Sequence, residues 1–136
     1  MSGFSHRCGR FVIPAALGAL VLAGGAFSAS ANSLKITGPK TIKVDAKFSL
    51  KFSGYAGGTA NFVRVHFDVP CAATEKAQKG KVLNFGPLAE NKSFSIGFPG
   101  GGPNEPLSTA GKHTVCAFLV GGSKTFAHAS FSWSAG

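Results

Sequence analysis

Apolar and polar residues alternate at every second position along most of the chain beyond residue 40, while apolar spacings of three and four residues nowhere persist long enough for an amphipathic helix. Segment 47–52 sets Phe48, Leu50 and Phe52 on one face against Lys47, Ser49 and Lys51 on the other, and 41–44 sets Ile42 and Val44 against Lys43. The longest alternating run, 61–69, opposes Val63, Val65, Phe67 and Val69 to Phe62, Arg64, His66 and Asp68, and Pro70 ends it. Segment 71–80 changes character: Ala72, Ala73, Glu75, Lys76, Ala77 and Gln78 favour helix over strand, which predicts a single helical turn. Strands are predicted again at 81–85, at 93–98 with Phe94, Ile96 and Phe98 inward, and at 113–120 and 125–133, the last two joined by a hairpin through Gly121, Gly122 and Ser123. A glycine- and proline-rich loop spans 99–112. About seven short strands separated by turns predict an all-β, two-sheet sandwich with Greek-key connections.

The first 31 residues do not follow this pattern. Arg7 and Arg10 precede an apolar run over 11–27, and Ala29-Ser30-Ala31 then offers the small residues a signal peptidase accepts. This is the order of an export signal, with cleavage before Asn32 and one domain over 32–136. The apolar run is short for a membrane span and is broken by Pro14, Gly18, Gly24 and Gly25, so no stable span is expected after cleavage. Arg7 and Arg10 are not adjacent, against a twin-arginine signal, and Cys8 precedes the apolar run, against a lipid-anchored N-terminus. A secreted or loosely envelope-associated domain is the expectation.

Composition sharpens this. Residues 32–136 carry eleven lysines and Arg64 against Asp45, Asp68, Glu75, Glu90 and Glu105, a formal charge of +7. Two cysteines remain there, Cys71 and Cys116, and an even pair in a small exported domain predicts one disulfide rather than a metal or redox site.

At the sixth predicted strand, Gly111-Lys112-His113-Thr114-Val115-Cys116-Ala117 is similar to the start of the sixth strand in immunoglobulin-like domains. With Cys71-Ala72-Ala73-Thr74 and Ala127-His128-Ala129-Ser130-Phe131-Ser132, the chain resembles secreted immunoglobulin-like domains of actinobacteria over most of 32–134. The resemblance implies an immunoglobulin-like fold and an export route, and it brings no activity and no functional residue with it. Two departures matter: Thr114 stands where the tyrosine that braces the strand corner would be, and Cys71 follows its strand rather than lying within one. The disulfide is therefore expected to pin a loop to a strand instead of crossing the core.

Candidate chemistry is sparse. Lys43, Lys47 and Lys51 share an outward parity, with Lys35 and Lys40 just before them, so one sheet should present a basic face suited to an anionic cell-envelope polymer or a surface protein. No base-reading motif points to sequence-specific nucleic-acid recognition. Phe62, outward beside Arg64, is the aromatic that could anchor a partner. His66, with Arg64 and Asp68 beside it, and His128 on the seventh strand form the alternative, a small-ligand or metal carrier, although the sixth strand would hold the two imidazoles about 10 Å apart. No cofactor motif is present, no G-x-S-x-G elbow accompanies the serines, and Glu75 and Glu90 lie in different connections, so the reading is a non-enzymatic binding or structural module.

Overall fold

The computed structural model describes residues 31–136, and the expected export segment lies outside the described residues except for its last residue. Eight strands form there: β1 (Ser33–Thr37), β2 (Thr41–Ile42), β3 (Lys47–Ala56), β4 (Phe62–Phe67), β5 (Leu83–Phe85), β6 (Lys92–Gly101), β7 (Gly111–Gly121) and β8 (Lys124–Ala135). They make a three-stranded sheet in the order β1-β3-β6 and a five-stranded sheet in the order β2-β8-β7-β4-β5. All pairings are antiparallel except that of β2 with β8. The expected immunoglobulin-like sandwich is therefore the observed fold.

Period-two patterning explains which side chains meet between the sheets. Phe48, Leu50 and Phe52 of β3 and Ile36 of β1 face Val63 and Val65 of β4, Val115, Ala117 and Leu119 of β7, and Trp133 of β8, all buried. The Trp133 ring sits 5.2 Å from Phe48 and 6.5 Å from Phe67, centroid to centroid, tying both sheets at one end of the core.

The strand predictions need correction, beyond shifts of a few residues at strand ends, in several places. The run 41–44 is strand only at Thr41–Ile42, and it joins the other sheet, parallel to β8. Residues 33–37 form a strand that alternation over so short a segment did not reveal, and Asn32 fastens its start by accepting the N–H of Gly57 at 2.6 Å. Segment 71–80 makes no helix; its i to i+3 bonds, Ala77 to Thr74 and Gln78 to Glu75, close turns only. The loop expected over 99–112 begins after Gly101, because β6 continues alongside β3 for ten residues.

Candidate functional site

The outer face of the three-stranded sheet is set by register. Lys35 of β1 lies beside Ser53 of β3, which lies beside Ser95 of β6; the next row is Thr37, Lys51 and Gly97; beyond it Ser49 pairs with Pro99 and Lys47 with Gly101. Three exposed lysines thus stand among serine, threonine, glycine and proline. None of the three strands contains an aspartate or glutamate. At a rise of about 3.4 Å per residue, Lys47 and Lys51 are rooted about 14 Å apart, and Lys35 lies one strand over from Lys51. At physiological salt the Debye length is about 8 Å, so these ammonium groups act on a ligand as separate charges rather than as one merged field. A shallow groove of about 420 Å³ follows the Lys47 end, lined by Lys47, Phe48, Ser49, Pro99, Gly100 and Gly101.

Lys47 and Lys51 therefore lie together as expected, and Lys35 joins them. Lys43 does not: because β2 ends at Ile42 and belongs to the other sheet, Lys43 falls in the connection to β3. From sequence Lys35 reads only as a basic residue ahead of the first predicted strand, because Leu34 and Ile36 alone carry the alternation of β1.

The outer face of the five-stranded sheet is built differently. Its register places Arg64 beside Phe118 and Phe118 beside His128, with His66 beside Cys116 in the neighbouring row. Cys71 is disulfide-bonded to Cys116, with Cα atoms 5.5 Å apart, and this draws the segment after β4 down over the sheet. The Glu75 N–H donates to Thr125 Oγ1 at 3.0 Å, which fixes the far side of the cover. Underneath lies a second apolar cluster of Cys116, Phe118 and Val120, with Phe62 and Val69 packed against it.

This cover changes the roles expected for three residues. Phe62 points outward from β4, and it packs half-buried against the second cluster. Arg64 is engaged within the chain: its Nη1 donates to Glu75 Oε1 at 3.1 Å and its Nε to Asn84 Oδ1 at 3.3 Å. His66 is only 2% exposed. Neither of its ring nitrogens has a hydrogen-bond partner, and Glu75 Oε2 is 3.8 Å from Nε2. The Phe118 ring stands between the two imidazoles of the expected carrier site, 5.9 Å from His66 and 6.3 Å from the exposed His128. Asp68 does not join them, because its positive φ of 54° at the end of β4 turns its carboxylate toward His113. Among the described residues, no group of three or more His, Cys, Asp or Glu side chains comes together to hold a metal ion.

No protein-family model and no curated protein matches the sequence. Among solved structures, the chain is similar to the CARDB domain of a Pyrococcus furiosus protein, crystallised in complex with di-metal ions. The match has a TM-score of 0.52 at 15% identity and covers 80% of this chain and 96% of that one. At this identity the likeness concerns the fold, an immunoglobulin-like sandwich.

Proposed function

We propose that the protein is a non-enzymatic attachment module that works outside the membrane and docks on an anionic polymer of the cell envelope. The observation that carries this reading is the outer face of the three-stranded sheet, where Lys35, Lys47 and Lys51 stand among small residues on strands that contain no acid, with Glu105 of the β6–β7 connection near Lys47. A face of this kind fits a repeating chain of phosphates or carboxylates better than a single small anion, because its charges are spread along a strand rather than converging on a point. The non-catalytic reading is supported by the pairing of Arg64 with Glu75 and of Asp68 with His113, which engages these side chains within the chain.

The test compares retention of the protein on beads carrying polyphosphate or an acidic polysaccharide across a salt series. A variant with Lys35, Lys47 and Lys51 changed to Ser is set against one with Lys40, Lys76 and Lys112 changed to Ser, which loses the same charge elsewhere. Affinity of the unmutated protein is expected to fall steeply with salt. By analogy with counterion release from charged polymers, the face variant should lose about 2–3 from the slope of log K against log salt. Equal losses in the two variants would reduce the face to general charge, and salt-independent retention would overturn the reading.

A further inference from the structure

His113 is nearly buried, and both of its ring nitrogens face acceptors. Nδ1 lies 3.0 and 3.2 Å from the two Asp68 carboxylate oxygens, and Nε2 lies 2.7 Å from the carbonyl oxygen of Thr109. A neutral imidazole carries one N–H and can satisfy only one of these acceptors, whichever tautomer it adopts. An imidazolium carries two and satisfies both. The ring also stacks on Trp133, with centroids 5.5 Å apart and planes 21° from parallel, and Trp133 Nε1 donates to the carbonyl of Leu107 at 3.1 Å.

These contacts join three parts of the chain. Asp68 ends β4, and besides meeting His113 it accepts the N–H of Thr114 at 3.1 Å while its own N–H donates to the Thr114 carbonyl at 2.8 Å. Thr109 and Leu107 belong to the connection between β6 and β7, which includes a short 3-10 turn at Pro106–Ser108. The buried Ser108 ties that turn to Gly102, and its carbonyl accepts the N–H of Asp45. Releasing His113 therefore loosens the connection that follows the Lys47–Gly101 end of the sheet. In immunoglobulin-like domains this corner is held by a tyrosine hydroxyl that reaches the backbone a few residues upstream. Here the residue before Thr114 reaches four residues upstream with an imidazole.

We infer that His113 is the corner brace of this fold and holds it as an imidazolium, so that the brace is a pH-operated latch on the connection between β6 and β7. Asp68 is the charged group facing the ring. β8 presents Trp133, with Ser132 and Ser134 on either side, and Lys112 precedes His113 with the opposite strand parity. Phe48 and Phe67 back Trp133 from the other strands, and the Asp45 carboxylate is turned toward the N–H of Asn104. Burial acts to lower the His113 pKa, while the Thr109 carbonyl and the bond and charge of Asp68 raise it, and the net direction is upward from the ordinary 6.5. The sign follows: a group whose folded pKa is raised contributes stability that is complete below its unfolded pKa and is lost as pH rises through the folded value.

Trp133 is the chain's single tryptophan, so its emission reports on the ring stacked against it. In the full chain, selectively excited Trp133 fluorescence should increase as pH rises above 6.5, because an imidazolium in contact with an indole quenches it more than a neutral imidazole does. The change should be absent in His113→Gln. The thermal midpoint of the unmutated protein should fall by a few degrees relative to His113→Gln between pH 6 and 9. Ring-proton NMR of His113 in the unmutated protein reads the same titration without relying on a variant that folds, and Asp68→Asn should shift it downward. A His113 titration at or below 6.5, or parallel stability profiles for the unmutated protein and His113→Gln, would overturn the latch.

Discussion

His66 shows how one residue can be correctly oriented by pattern and yet misread in role. Alternation along β4 puts it on the outer side, where an imidazole is ordinarily solvated; the disulfide-tethered cover then removes the water without supplying a hydrogen-bond partner. A buried polar group without a partner costs about 1–3 kcal/mol in lost hydration. Leu is similar in bulk and carries no polar atom, so His66→Leu is expected to leave stability unchanged or raise it by about 1 kcal/mol. The urea midpoint checks this, with an unchanged slope showing that the fold is the same. A loss of more than about 1 kcal/mol would mean that the ring makes a bond in solution that this arrangement does not show. His113, also buried, is the opposite case: its acceptors are in place on both sides, and it is the imidazole whose replacement should be felt.

At the scale of elements, β1 depends on a glycine. A Cβ built at Gly54 would collide with the backbone carbonyl of Ser33 in the opposing strand, so Gly54→Ala must push β1 off β3. Overpacking of this kind costs about 1–3 kcal/mol, and the bond from the Tyr55 N–H to Ser33 Oγ should be lost with it. Amide exchange confined to residues 33–37 and 53–55 would show that loss as local opening, whereas an unchanged exchange pattern would mean the strands can part without consequence. The same glycine helps explain what was legible before the structure. Strong alternation at 47–52, 61–69 and 93–98 locates β3, β4 and β6, because those faces are apolar at every second position. The extension of β3 through Ser53, Gly54 and Tyr55 breaks the apolar pattern and was hidden. β1 offers only Leu34 and Ile36 as a signal, and the choice of sheet for β2 depends on a parallel partner about ninety residues away that no local pattern encodes. Lys47 and Lys51 were legible as one face because parity within a strand is local. The membership of Lys35 and the exclusion of Lys43 were not, because both depend on pairing between strands.

For the whole molecule, stabilisation and the proposed contact surface lie on opposite sheets. The disulfide joins Cys71 to Cys116 across a sequence separation of 45 on the outer side of the five-stranded sheet. In the chain-entropy model, closing a loop of that length removes about 4 kcal/mol of unfolded-state freedom. Net stabilities of small domains are only about 5–15 kcal/mol, so the bond represents a large share of what keeps residues 32–136, with their formal charge of +7, folded. The main core of Phe48, Leu50, Phe52, Val63, Val65, Val115, Leu119 and Trp133 does not include either cysteine. The Cys71→Ala, Cys116→Ala variant should therefore retain the sandwich with a urea midpoint lowered by the equivalent of about 4 kcal/mol. Its cover over the second cluster should loosen, which increased amide exchange at 71–79 would report. Under conditions where this variant is still folded, its retention on an anionic polymer should match that of the disulfide-bonded protein, because Lys35, Lys47 and Lys51 lie on the other sheet. Retention that drops with the disulfide while the fold survives would place the contact on the five-stranded sheet instead, and would make its cover, rather than the lysine face, the surface that meets the partner.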